Sequence, residues 1–327
     1  KPLSLLETGT GFAVMFTDII QHSFKIKPQA AFGYSMGEST MMYSLGVWPN
    51  ASEGSQFIHS SPLFQNRLIG AKQTVSEYWG ESTAQNLWSS YVLMVSPDAV
   101  KEYLEQESRV YLTHVNTPQE VVIAGDPHAC FRIIDGVKCD AFRSPSDMVL
   151  HCEPMKSEFP AFMKLNTGSM GALPDTVFYS SANYQPIPLE QSAIAQNLSQ
   201  GVCQSLEFPR LINSAYQDGV RIFLELGTGG SCSRWIGETL DNHDHLALCI
   251  NSRGAGDLAG IVKMLAQLVS HKVDLDLSPL YLSQSAATQM TIFQPNSTAT
   301  ATVSTQPNSI TTATVKTQKP TQPPSQQ

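Results

Sequence analysis

The chain has 327 residues, 42% of them hydrophobic and 15% charged, with a formal net charge of −8 at pH 7. It is long enough to bury a sizeable core as one large or two small domains, and its charge disfavours nucleic acid or an anionic membrane as the main partner. No apolar run reaches the ~18 residues of a membrane span, and the six cysteines and eight histidines lack CxxC or metal-ligand spacing, so free thiols in a reducing cytoplasm and no bound metal are expected.

Apolar residues from Gly11 to Phe24 predict a nearly buried helix. Pro28 separates it from a short apolar strand over Gln29 to Phe32. A helix follows from Glu38 to Trp48, with Met41, Met42 and Leu45 at helical spacing. Between strand and helix stands Gly33-Tyr34-Ser35-Met36-Gly37. Gly-x-Ser-x-Gly is the spacing of a nucleophile elbow, a turn tight enough to require glycine on both flanks. Such a turn lifts the serine Oγ to a helix N-terminus, where free N–H groups favour developing negative charge. A Gly-Ser-rich turn without chemistry would show the same letters.

Another helix is expected within Ser52 to Ala71, and the texture changes near Ser89. Strands are predicted at Tyr91 to Val95, Val110 to Val115, Gln119 to Ala124 and Lys138 to Phe142, with helices at Asp98 to Gln106 and Pro127 to Asp135. This β-α-β-β-α-β order is the split βαβ pattern of a ferredoxin-like module. Beyond it, strands are read at Thr176 to Tyr179, Arg221 to Leu226 and Leu246 to Ile250. Helices are read in part of Ile187 to Leu206, and at Phe208 to Gln217, Ser231 to Leu240 and Asp257 to Val269. Alternation on both sides of the module predicts an α/β domain with a mainly parallel sheet. Residues 1–88 and 151–282 would form this discontinuous large domain, and residues 89–150 the inserted small one. Leu226-Gly227-Thr228-Gly229-Gly230 follows a strand and opens a helix, but without a P-loop lysine it reads as a structural turn. From about Ser283 to Gln327 the composition narrows to Ser, Thr, Gln, Pro and Ala, the signature of a disordered linker.

A serine needs a base, and histidine is the usual one near neutral pH. Spacing alone selects none of the eight. His151 stands out by context, in an apolar stretch where the inserted module returns to the main domain.

Four segments, in order, resemble malonyl-CoA:acyl carrier protein transacylases and the acyltransferase domains of fatty-acid and polyketide synthases. Gly33-Tyr34-Ser35-Met36-Gly37-Glu38 is similar to their Gly-His-Ser-x-Gly-Glu elbow. Asn116-Thr117-Pro118-Gln119 with Val121 to Gly125 is similar to their Asn-Ser-Pro-x-Gln-x-Val-Ile-Ala-Gly segment. Leu150-His151-Cys152 with Pro154-Met155 resembles Ser-His-x-x-x-Met, and Glu225-Leu226-Gly227-Thr228-Gly229 resembles Glu-Val-Gly-Pro-Gly. The texture is most similar to the PfaB-type acyltransferases of bacterial polyunsaturated fatty acid synthases. The resemblance covers roughly residues 5 to 282. It implies an α/β-hydrolase-like large domain with a ferredoxin-like insertion, moving an acyl group from coenzyme A to an acyl carrier protein through an acyl-serine. Ser35 would be the nucleophile, His151 the base and the Met36 backbone N–H an oxyanion donor. The Glu207 backbone carbonyl would orient His151. Arg67 and Asn116 are the candidates on the substrate side. Acyl-CoA would be a substrate, with no bound cofactor. The implied partners are carrier domains bearing phosphopantetheine and other synthase subunits.

Two departures follow. The family's first strand, ending in Gly-Gln-Gly-Ser-Gln, has no counterpart before Ser35. The expectation is a missing strand, half an oxyanion hole and weak activity of the chain alone. The family's carboxylate-binding arginine falls near Ser60-Ser61-Pro62 here, with Arg67 almost two helical turns later, so a neutral acyl chain is at least as well supported as malonyl. Hydrolysis by the same Ser-His pair, as a thioesterase or esterase, and a non-catalytic docking module are the alternatives.

Overall fold

The computed structural model describes residues 2–81, 86–252, 254 and 256–281. The predicted linker lies outside them. Residues up to Tyr281 fall within one unit.

Elements appear close to where periodicity places them. Helix α1 (Pro2–Asp18) starts earlier than predicted and continues into a π-helical turn over Ile19–Ser23. Then come β1 (Ala30–Ala31), α2 (Gly37–Ser44), α3 (Ala51–Ser60) and α4 (Gln73–Trp79). Between α3 and α4, Leu63–Arg67 forms a second π-helical turn. The module that follows contains β2 (Ser89–Leu93), α5 (Pro97–Leu104), β3 (Val110–Thr117), β4 (Glu120–Gly125), α6 (Pro127–Val137) and β5 (Ala141–Arg143). After it come α7 (Phe159–Leu165), β6 (Val177–Phe178), α8 (Gln191–Gly201), β7 (Leu206–Glu207) and α9 (Phe208–Gln217). The described part ends with β8 (Ile222–Gly229), α10 (Ser231–Thr239), β9 (Leu246–Ser252) and α11 (Asp257–Ser270).

The module's strands lie in the order β5-β2-β4-β3, all neighbours antiparallel. Thr117 pairs with Glu120, so Pro118 and Gln119 make a tight turn in the interval left between the two predicted strands. On one side of the sheet Leu93, Val121 and Ile123 pack with Val100 of α5 and Ile133 of α6. Asp126 caps α6 by accepting from the Ala129 N–H at 2.8 Å, and Pro127 occupies the first turn, where its missing N–H costs nothing. The sheet also takes in a strand from outside residues 89–150. Leu206 and Glu207 of β7 pair in parallel with His114 and Val115 of β3. Two-residue strands carry no periodicity, so the sequence does not reveal this one.

Beyond the β3–β7 pair, parallel pairing among the described residues is confined to two separate two-stranded sheets instead of one continuous sheet. Ala30 and Ala31 of β1 pair with Val177 and Phe178 of β6, while β8 pairs with β9 from Ile222↔Leu246 onward. The pairs meet through side chains: Phe32, just past β1, packs edge-on against Phe223 of β8 at 6.1 Å. The chain leaves β1 for the Ser35 turn after two residues, too few to extend a ladder into β8. Phe208, Leu211 and Trp235 complete the apolar cluster on this side, beneath Tyr34.

Candidate active site

The turn after β1 holds Ser35 at φ 54, the left-handed region that costs an ordinary residue on the order of 1–2 kcal/mol. Gly33 makes it possible. A Cβ there would lie 1.9 Å from the Gly37 carbonyl carbon and 2.1 Å from the Glu38 nitrogen. The second glycine is a correction to the sequence reading, because a Cβ on Gly37 would meet nothing within 4 Å. The tight approach is one-sided: the chain folds back on Gly33 and leaves the outer face of Gly37 open. The Gly37 N–H donates to the Tyr34 carbonyl at 2.8 Å and the Glu38 N–H to the Ser35 carbonyl at 3.1 Å. The N–H of Met36 has no acceptor among the described residues. It is left open at the mouth of α2, where an N–H can donate to an incoming oxygen.

His151 reaches this turn from the segment behind β5. Its Nε2 lies 2.7 Å from the Ser35 Oγ and its Nδ1 2.9 Å from the Gly201 carbonyl oxygen. A carbonyl only accepts, so Nδ1 carries the proton and Nε2 offers its lone pair to the serine hydroxyl. The ring is 2% exposed, and burial brings its pKa down to about 4, against the upward pull of backbone hydrogen bonds from Gly201 and Gln204. Near neutral pH it is an unprotonated base.

The orienting carbonyl belongs to Gly201 and not, as expected, to Glu207. Glu207 sits on β7 beside Val115, its N–H donating to the Tyr184 hydroxyl at 3.2 Å. Gly201 closes α8, and the last carbonyls of a helix lack intrahelical donors. The Nδ1–H satisfies one of them at the negative end of the helix dipole, which also favours positive charge on the ring. The dipole thus does part of what a carboxylate does in a Ser-His-Asp triad.

Two other expectations change. Arg67 is committed within the protein. Its Nε donates to Glu158 at 2.8 Å and its Nη2 to Glu77 at 2.8 Å, and these carboxylates raise its pKa further. Asn116 is buried with both ends of its amide engaged. Its Oδ1 accepts from the Tyr34 hydroxyl at 2.6 Å and its Nδ2 donates to Glu120 at 2.9 Å. Neither side chain is free for a substrate, and Asn116 instead fixes the residue before Ser35. The Trp235 indole and Arg234 also donate to Glu120, at 3.1 and 2.7 Å, tying β4 to α10. Behind the turn, buried Glu38 accepts from the Ser181 N–H at 3.1 Å and from its hydroxyl, and burial raises its pKa. Residues 226–229, read from the sequence as a turn, continue β8; Glu225 on that strand accepts from the N–H and hydroxyl of Ser233 in the first turn of α10, at 2.7 and 2.8 Å.

One residue of the site escaped sequence reasoning. His114 on β3 packs its ring edge-to-face on His151 with centroids 4.6 Å apart, and lies 5.4 Å from Tyr34. Its only sequence signal is the adjoining Asn116 segment.

Among the described residues no helix is long and apolar enough to cross a membrane. No family model matches the chain. It is 23% identical over 306 residues to one of the polyunsaturated fatty acid synthase subunits of a Thraustochytrium species, an alignment covering 87% of this chain and 15% of that protein. Among solved structures it is similar to the acyltransferase domain from the second module of the salinomycin polyketide synthase. There the TM-score is 0.65 at 20% identity, covering 86% of this chain and 63% of that one. Malonyl-CoA:acyl carrier protein transacylase from Xanthomonas oryzae gives 0.62 at 17% identity, covering 78% of this chain and 77% of that one. A malonyl transacylase solved in complex with its acyl carrier protein gives 0.63 at 18% identity, covering 79% of each chain. This chain has the mixed α/β fold of acyltransferase domains.

Proposed function

We propose that the chain is an acyltransferase domain that passes an acyl group from coenzyme A to a carrier protein through an acyl-Ser35 intermediate. The observation that carries this reading is the 2.7 Å contact between Ser35 and a buried, neutral His151 at a strained strand-to-helix turn. His151 Nε2 takes the hydroxyl proton as Ser35 Oγ attacks the thioester carbonyl. The C–S bond breaks, and the proton passes from His151 to the departing thiolate. In the second half the acceptor thiol gives its proton to His151, attacks the acyl-serine and releases the Ser35 hydroxyl. The Met36 N–H stabilises both oxyanions, and one such donor is typically worth on the order of a hundredfold in rate.

Coenzyme A enters as substrate, and no resident cofactor is invoked. Carrier domains bearing a phosphopantetheine thiol are the partners, within a polyunsaturated fatty acid or polyketide-type synthase. The β-α-β-β-α-β unit is read as the ferredoxin-like insertion at residues 89–150, between the 1–88 and 151–282 parts of the large domain. With Arg67 held by two carboxylates, a neutral acyl group suits the site better than malonyl. Incubation with acetyl-, malonyl- and long-chain acyl-CoA, followed by intact mass, should give an adduct on the wild type and none on Ser35→Ala. An unlabelled wild type sinks the proposal, and selective malonyl labelling sinks the neutral-acyl part. Turnover to free acid at the same rate with and without a carrier protein would favour hydrolysis.

A further inference from the structure

His114 is an active-site imidazole that the scheme above leaves unused. The register of β3 slips between Leu112 and His114, the kind of bulge that re-aims a side chain. The neighbouring Thr113 hydroxyl donates to the Val122 carbonyl at 3.2 Å, and a carbonyl can only accept. Its proton being spent, the Thr113 oxygen can only accept from the His114 Nδ1, 3.0 Å away. Nδ1 therefore carries the ring proton, and Nε2, at the far end of the imidazole, keeps a lone pair. No donor among the described residues reaches it. Burial, and the proximity of His151, hold the pKa of His114 well below the ordinary range, so it remains an acceptor. Nε2 is not among the buried polar atoms left without a partner, so it is open to an incoming donor.

We propose that His114 binds the thiol arm of the acceptor: its Nε2 accepts the N–H of the amide two methylenes from the attacking sulfur. This rests on the acyl-transfer reading. In the second half-reaction the sulfur stands at His151, to which it gives its proton. A phosphopantetheine arm ends in –CO–NH–CH2–CH2–SH. Its nitrogen and sulfur are three bonds apart, a span comparable to one Cα–Cα step, about 3.8 Å. Two imidazoles with centroids 4.6 Å apart lie close enough for one such arm to reach both, the thiol at His151 and the amide at His114.

The test uses two acceptors of one shape, N-acetylcysteamine and 2-mercaptoethyl acetate, in which an ester oxygen replaces the N–H. Acyl-Ser35 is formed from an acyl-CoA, and its loss to each thiol is followed by intact mass, relative to each thiol's uncatalysed rate. The wild type should favour the amide about five- to tenfold, the worth of one hydrogen bond. His114→Phe should bring the ratio near one by slowing the amide alone. His114→Gln, which keeps an acceptor at similar reach, should retain most of the preference. The ratio is internal to each preparation and does not depend on the folded fraction. Acyl-Ser35 that forms normally, with no preference in the wild type or the same ratio in His114→Phe, overturns this inference alone. No acyl-Ser35 at all overturns the functional reading with it.

Discussion

Two polar groups deep in this protein are held in opposite ways. Arg67 and Glu158 join the π-helical turn before α4 to the turn before α7 by charge: the carboxylate, 4% exposed, takes the guanidinium at 2.6 and 2.8 Å and the hydroxyl of Thr74 on α4 at 2.9 Å. His151 is as deeply buried, yet its two ring partners are a backbone carbonyl and a hydroxyl. A fully paired ion cluster is costly to alter and stays as it is. A neutral ring between a fixed acceptor and a movable proton can change state within one turnover. The contrast separates a fastening from a working part.

The sharpest way to break this contrast is to remove the working part. His151→Ala should slow formation of acyl-Ser35 by a factor on the order of 10²–10⁴, followed by intact-mass time course, while the protein still folds. Arg67→Met should do the reverse. Leaving Glu158 buried without its cation should cost roughly 3–5 kcal/mol in urea unfolding, with acylation per folded molecule and the ranking of acyl donors unchanged. Adding Glu158→Gln to that variant should recover much of the loss.

The pH dependence sharpens the same distinction. With His151 near 4 in the folded state, the acid limb of kcat/KM should fall close to pH 4 instead of near 6.5. The sign for stability follows from proton uptake. Between 6.5 and 4 the unfolded chain protonates this histidine and the folded one does not, so its contribution is intact above 6.5 and is lost as pH falls toward 4. An acid limb near 6.5 would show that the ring is better solvated than its burial implies. The smallest effect concerns the motif itself. Gly37→Ala, in open space and outside the left-handed region, should stabilise the protein by about 0.4–1 kcal/mol in thermal or urea unfolding and leave acylation unchanged.

Much of this arrangement was legible in the sequence where the cause is local. The strands and helices from β2 to β5 follow from periodicity and turn residues, and the Ser35 turn follows from the glycine that its close approach demands. Contacts between distant segments were not legible. Gly201 acts through its carbonyl, which every residue has, so nothing in its side chain marks it, and Glu207 was favoured only by analogy. Arg67 looked available because the carboxylate that claims it lies 91 residues later. His114 became visible only once a bulge in β3 placed it against a ring 37 residues away.

The attachment of β7 to β3 has a mechanical meaning. Gly201 ends α8, and a few residues later the same chain enters the sheet as the neighbour of His114. The anchor of one imidazole and the strand bearing the other are thus joined by a single short tether. A displacement of β7 would be passed along this tether to the carbonyl that aims His151, so the two imidazoles are not positioned independently.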